Sequence, residues 1–295
     1  MNSDTSRMVS SSLDYRQAHL ELNAAFPAQD NDIALVIRGR TPDEAAAFAE
    51  ASLDAAPLTL RVNRLKTTVQ AVADAVSGEA GQRPWSVRLP SSKVLPADLE
   101  VVVDGRASPQ DEAAMRVVEL LEPKSGERIL DVCAAPGGKT CHIAEMMGDD
   151  GTVIACDRLP NRLARVASNA RRLGLTSVTT EDVLPAEDEL FDRVLVDAPC
   201  SGLGTLRRHP EIRWRLTDDD IAELTRTQHS VLLEGARRVR SGGTLVYAVC
   251  TVTKAEGEDQ VATLRDDFEV EEVLRTGPHQ LGAPDGFFAA RLVRR

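Results

Sequence analysis

The chain lacks any apolar run near the roughly 20 residues that a membrane helix needs, so no helical span is expected. Residues 1–7 lack the basic start and apolar core of a secretory signal, which points to a cytoplasmic protein. No Cys-x-x-Cys pair occurs among the five scattered cysteines, Cys133, Cys141, Cys156, Cys200 and Cys250. A disulfide framework or a structural zinc site is therefore not expected, and no metal is assigned. An excess of basic charge is missing too. The net charge of −11 differs from the basic surface usual for nucleic-acid partners, although a local patch can serve while the remainder stays acidic. No internal repeat or low-complexity tract is visible. What is there is ordinary globular composition, 27% charged and 42% hydrophobic over 295 residues. That length can bury a full core and suggests one large domain plus a smaller one, expected as a monomer.

The chain is organised around the stretch Arg128-Ile-Leu-Asp-Val-Cys-Ala-Ala-Pro-Gly-Gly-Lys-Thr140. An apolar run, 129–132, meets a turn of small residues, and a helix is expected over 140–147. A strand turning tightly into a helix brings backbone N–H groups and a positive helix end to one point. Adjacent Gly137 and Gly138 let a ligand approach the backbone closely. A phosphate loop would need glycine where Cys133 stands, and the dinucleotide fingerprint is also missing. An ordinary strand–helix turn would account for the stretch alone. Asp157, about 20 residues on at the end of the apolar run 152–156, is where an acid can hold ribose hydroxyls. A nucleoside-bearing cofactor is favoured.

Residues 1–25 are expected to be flexible apart from a short helix over 15–22. Thr41, Pro42 and Glu44 announce a capped helix. A half-buried strand is expected over 58–62, a helix over 67–77, and weak strand signals run through 87–103. These predict a small α+β domain over 26–108. A helix over 113–121 opens the second domain, 109–295. Strand–helix alternation follows, with strands at 129–132, 152–156, near 178, 191–196 and 242–249. Helices are expected over 160–173 and 218–239, the latter capped by Thr217. Thr253-x-x-Glu256 reads as a capping box opening one more helix. Runs at 268–274 and 287–293 close the chain. The pattern predicts a doubly wound, mostly parallel sheet with antiparallel pairing at its C-terminal edge.

Ligands in such sheets sit beyond the carboxyl ends of the strands. Those ends carry Cys133 with its glycine turn, Asp157, Asp182, Asp197 with Cys200, and Cys250. A plausible division puts Asp157 on ribose, Asp182 near an adenine edge and Asp197 toward the reaction centre. Cys141 and Cys156 read as core packing. Cys200 and Cys250, at neighbouring strand tips, suit nucleophilic catalysis, with the helix after Cys250 favouring its thiolate. A reaction that uses two thiols and a nucleoside cofactor is methylation of cytosine carbon 5. Thiolate attack on carbon 6 makes an enamine, whose carbon 5 takes a methyl group from S-adenosylmethionine. One cysteine forms the adduct and the second assists its breakdown; residue logic leaves open which is which.

Five blocks resemble the Sun/Fmu-type RNA (cytosine-5)-methyltransferase family, the RsmB group. They are Gln110-Asp-Glu-Ala, Asp131-Val-Cys-Ala-Ala-Pro-Gly-Gly-Lys-Thr140, Asp197-Ala-Pro-Cys-Ser-Gly-Leu-Gly-Thr-Leu-Arg-Arg-His-Pro210, Tyr247-Ala-Val-Cys250 and Gly286-Phe-Phe-Ala-Ala-Arg291, with a weaker echo over 58–66. The resemblance implies a Rossmann-like class I methyltransferase fold behind a small RNA-recognition-like domain. It implies that Cys133, Ala134, Ala135, Pro136, Gly137, Gly138, Lys139, Asp157, Asp182 and Asp197 contact or border S-adenosylmethionine. It further implies that Cys250 is the nucleophile, that Cys200 assists product release, and that Lys139 points toward the substrate base. The implied partner is RNA, rRNA or tRNA. Two departures stand out. The family's Ser-Thr-Cys-Ser is Ala248-Val249-Cys250-Thr251 here, and loss of the hydroxyl at Val249 is expected to alter substrate hydrogen bonding or rate while the thiol is retained. The stretch before residue 108 also leaves no room for the NusB-like domain of RsmB, so its target does not carry over.

RNA contacts are expected at Arg207, Arg208, His209, Arg213, Trp214 and Arg215, since arginines around a tryptophan can pair with phosphates and stack on a base. A solvated loop with a buried Trp214 accounts for that residue equally well. Arg61, Arg64 and Lys66 would extend the surface onto the small domain. The target base would leave its stack to reach Cys250. Two other classes remain: a non-catalytic RNA-binding or assembly factor, and a methyltransferase acting on DNA or a small molecule.

Overall fold

A computed structural model describes residues 48, 51–90, 95–277 and 283–295. The flexible segment expected over 1–25, the helix over 15–22 and the cap at Thr41 lie outside them. A four-stranded antiparallel sheet comes first: β1 (Leu58–Val62), β2 (Glu79–Ala80), β3 (Ser86–Leu89) and β4 (Ala107–Pro109), in the order β2-β3-β1-β4. Helix α1 (Val69–Val76) begins one residue later than a Thr67 cap would place it. Thr68 is the cap, and its hydroxyl accepts from the Ala71 N–H at 3.3 Å. Alternate residues Leu60 and Val62 bury against Val72, Val87, Val101 and Val102.

The strand signals over 87–103 are only half realised. After β3 the chain makes a 3-10 turn, Pro96–Asp98, and a short helix, α2 (Glu100–Val103). β-Branched valines prefer strands, but burying Val101 and Val102 in the small core outweighs a propensity worth at most about 1 kcal/mol. The boundary expected at 108 falls inside β4, whose Ser108 pairs with Arg61 in the small sheet.

The main sheet is built from β5 (Arg128–Asp131), β6 (Thr152–Cys156), β7 (Val178–Glu181), β8 (Phe191–Asp197), β9 (Val239–Val249), β10 (Phe268–Thr276) and β11 (Phe287–Arg294). Their order is β10-β11-β9-β8-β5-β6-β7. β9 through β7 run parallel, and β11 pairs antiparallel with β9 and β10. The period of two along each strand sorts side chains between two cores. Ile129, Val153, Leu195 and Val246 face α3 (Glu112–Leu121), α4 (Gly138–Met146) and α5 (Pro160–Leu173). Leu130, Ile154, Val194, Val196 and Leu245 face α7 (Asp218–Arg237) and α8 (Glu258–Ala262). The helix that fills the link from β8, α6 (Ile212–Arg215), lies beside the start of α7.

The small sheet is fastened to the large one by buried polar groups. The Arg61 guanidinium, 1% exposed, donates to both Glu145 oxygens at 2.8 and 2.9 Å, to the Gly138 carbonyl at 2.8 Å, and to Gln110. Arg172 of α5 donates to the carbonyls of Val102 and Ala107 and to the Ser108 hydroxyl.

Candidate active site

The strand tips expected to meet do meet. β5 ends in Asp131, and the turn behind it is pinned to β6: the Ala134 N–H donates to the Cys156 carbonyl at 2.8 Å, and the Ala135 N–H to Asp157 Oδ2 at 3.3 Å. Gly137 caps α4 at φ +100°, where a Cβ would stand 3.0 Å from Val166 Cα, so only glycine fits. Gly138 has open space where a Cβ would be, so a ligand can lie on its backbone. Asp157 is 6% exposed, and its other oxygen accepts from the Leu159 N–H at 3.0 Å. A carboxylate has about four acceptor sites, so capacity for hydroxyl groups remains. Asp182 is exposed just past β7.

Asp131, beneath this cradle, was not singled out as a site residue in the sequence. It is fully buried and accepts from the Thr140 hydroxyl at 2.6 Å through Oδ2, while Oδ1 has no partner. Burial pushes its carboxyl up to about 7; the Thr140 bond opposes this and the neighbouring Asp197 charge adds to it. Lys139 donates to Asp197 Oδ2 at 2.6 Å and lies 5.2 Å from the Phe287 ring centre. Burial alone would lower its ammonium, but the Asp197 carboxylate outweighs that, and the group is raised.

Cys200, past β8, and Cys250, past β9, have their sulfurs 3.2 Å apart, though 50 residues separate them in sequence. All five cysteines are free. The hydrogen bond with Cys250, burial, and the charges of Cys250 and Glu256 all drive Cys200 well above the ordinary thiol range, so it is held as a thiol. Cys141 and Cys156 are core thiols pushed up to about 12 by burial, in keeping with packing roles. Gly204 lets two motif blocks touch beside Cys250. Its N–H donates to the Cys250 carbonyl at 3.0 Å, its carbonyl accepts from the Gly286 N–H at 2.8 Å, and a Cβ there would lie 1.9 Å from the Gly286 oxygen.

Several expectations fail here. Thr253 and Glu256 do not open a helix: α8 starts at Glu258, after Gly257, and is five residues long. The Thr253 hydroxyl does reach Glu256 Oε2 at 2.8 Å, but the carboxylate turns inward instead of capping backbone. It accepts from the Ser201 N–H (2.8 Å), the Ser201 hydroxyl (2.7 Å), the Thr251 hydroxyl (2.9 Å) and Gln228 Nε2 (3.0 Å). Val249 is fully buried in the apolar core beside Val196 and Phe288, so its side chain is a packing element and not a substrate contact.

Arg207 is 2% exposed and paired with Asp285 at 3.0 Å, while Arg208 bridges Asp285 and Asp111 at 2.5 and 2.8 Å. Both guanidiniums are engaged in internal ion pairs, Arg207 out of solvent and Arg208 with 29% of its side chain exposed. Arg61, buried on Glu145, is likewise not a surface cation. Lys66 donates to the carbonyls of Asp104 and Arg172. His209 and Arg215 are exposed, and Trp214 is half-buried. Arg64 lies 5.2 Å above the Trp85 ring on the small sheet. Ser201, Ile212, Arg215, Leu216 and Thr227 line a cavity of about 350 Å³ between the Cys200 loop and α7. Among the described residues no cluster suited to a metal ion occurs, and no helix is long and apolar enough to cross a membrane.

Residues 118–293, which hold both cysteines, the glycine cradle and Asp197, match the family model for the 16S rRNA methyltransferase RsmB/F. The chain belongs to the RsmB/F family. It is 42% identical to a probable ribosomal RNA small subunit methyltransferase B from Synechocystis over 242 residues, 78% of this chain and 53% of that protein. It is 37% identical to ribosomal RNA small subunit methyltransferase B from Salmonella paratyphi B over 275 residues, 86% of this chain and 63% of that one. The chain thus spans little more than half the length of these relatives. The crystal structure of PH0851 superimposes with a TM-score of 0.84 at 30% identity, covering 94% of this chain and 68% of that one. The RsmB/F chain therefore has the Rossmann-like class I methyltransferase fold, carried by the sheet β9-β8-β5-β6-β7.

Proposed function

We propose that this RsmB/F chain methylates carbon 5 of a cytidine in RNA, of ribosomal origin, with S-adenosylmethionine as donor. One observation carries the reading: two free thiols in contact at the tips of β8 and β9, beside the Lys139–Asp197 pair and a glycine cradle. The cradle fits such a cofactor. Gly138 offers open backbone, Asp157 retains acceptor capacity for ribose hydroxyls, and Cys133 through Lys139 border the space. Asp182 stands exposed at the next tip, toward the adenine. When bound, the cofactor supplies an electrophilic methyl on a sulfonium.

Everything else is done by side chains. Cys250 Sγ adds as thiolate to carbon 6 of the base, forming the S–C6 bond and placing an electron pair on carbon 5. Lys139, held by Asp197, presents a cation toward the base, where it stabilises the charge that develops as the thiolate adds. With the donor's methyl–sulfur bond broken and its electron pair left on that sulfur, carbon 5 carries the methyl group and then gives up its proton to solvent water. The C5=C6 bond re-forms as the S–C6 bond breaks and the Cys250 thiolate leaves. Cys200, a thiol 3.2 Å away, assists this breakdown. RNA reaches the site over His209, Arg213, Trp214 and Arg215, with Arg64 and Trp85 on the small sheet as a second contact.

The test is transfer of labelled methyl from S-adenosylmethionine to RNA extracted from cells lacking this modification. Label in 5-methylcytidine after nuclease digestion is the expected result. Label on another atom, or none across the rRNA and tRNA pools, would refute the reading.

A further inference from the structure

The two thiols sit on separate loops, so something must fix their spacing. Glu256 has no solvent exposure, and its five hydrogen-bond donors are all neutral. The donors follow a pattern. Ser201 is the residue after Cys200, and Thr251 is the residue after Cys250. One carboxylate therefore grips the chain immediately beyond each sulfur. The Ser201 and Thr251 hydroxyl oxygens also lie 2.8 Å apart, side by side on the one carboxylate. Gln228 of α7 adds a third anchor, donating to Glu256 at 3.0 Å and to the Pro199 carbonyl, just before Cys200, at 2.9 Å. The Tyr247 hydroxyl donates to the Glu256 carbonyl at 2.7 Å, tying the backbone to β9.

We propose that Glu256 is a positioning residue that holds Cys200 and Cys250 in contact. It follows from the anchors, which bind one carboxylate to the residue after each sulfur. The buried Glu256 charge also disfavours a second negative charge on Cys200. The groups acting on Cys200 agree: the Cys250 hydrogen bond, burial, and the Cys250 and Glu256 charges disfavour its thiolate, and the Gly202 N–H favours it. Lys139 is engaged with Asp197 and also feels the Cys250 charge. The proposal rests on the covalent reading above, because that reading needs the two sulfurs side by side.

The test compares Glu256→Gln and Glu256→Asp with the unaltered chain. Initial rates of Cys200 alkylation by iodoacetamide are followed across pH by peptide mass spectrometry, without RNA or cofactor. Glu256→Gln removes the charge, so the Cys200 profile should move to lower pH by about one unit. Glu256→Asp keeps the charge but shortens the reach, so its profile should stay in place. In methyl transfer both variants should lose kcat by roughly 10- to 100-fold with KM little changed, as expected of misplaced reacting groups. A Glu256→Gln chain that melts earlier yet keeps the original alkylation profile and kcat would show a merely structural residue and overturn the proposal. An unaltered chain that transfers no methyl would sink the proposed function, while the alkylation arm would still decide the role of Glu256.

Discussion

Asp131 is fully buried with one oxygen unpartnered, and its carboxyl is pushed up to about 7. Such a group binds a proton more tightly in the folded than in the unfolded chain, where its value is near 3.8. Its contribution to stability is complete below about pH 4 and is lost as pH rises through about 7. Asp131→Asn removes the titration while keeping an oxygen for Thr140. Denaturant unfolding from pH 4 to 8 should therefore show the stability difference between variant and parent shifting steadily in the variant's favour. A difference independent of pH would mean that Asp131 is ionised throughout. The cysteines divide at the same scale: Cys141 and Cys156 are core thiols, whereas Cys200 and Cys250 are only half-buried at strand tips.

Among the elements, β1 and α4 are joined by the Arg61–Glu145 pair, with both side chains 1% exposed. Arg61→Met leaves Glu145 buried without its cation, which costs about 3–5 kcal/mol. Replacing both, Arg61→Met with Glu145→Leu, should recover much of that loss in chemical denaturation; equal losses in the single and double variants would rule out a pairing effect. The elements also show what was legible beforehand. Helix α5 matches its expected range end to end because Pro160 opens it and Gly174, at φ +77°, closes it. Thr217 and Asp220 form the capping box that starts α7. The cysteines, Lys139 and Asp197 were legible because a parallel sheet gathers its carboxyl ends. Glu256 was not. A Thr-x-x-Glu contact is local in sequence and resembles a helix cap, but this carboxylate also serves the Cys200 loop, 55 residues away. Arg207 and Arg208 misled for the same reason: a basic run in sequence carries no sign of the Asp285 that neutralises it in space.

At the scale of the molecule, the proposed function requires a chain of net charge −11 to bind RNA through a few local cations. The apparent association constant should fall with salt at a shallow log–log slope, and Arg215→Gln should reduce that slope by about 1. Arg207→Gln should leave the slope unchanged and lower the melting temperature instead, because its guanidinium holds Asp285 inside the protein. A reduced slope in the Arg207 variant would put that residue back on the RNA surface. In the proposed function the cradle, paired thiols and basic approach serve one covalent event. It is tested most directly by mixing Cys200→Ala and Cys250→Ala chains with unmodified RNA and S-adenosylmethionine on a denaturing gel. The account predicts that Cys200→Ala accumulates a covalent protein–RNA band and that Cys250→Ala forms none. A covalent band from Cys250→Ala, with none from Cys200→Ala, would contradict it.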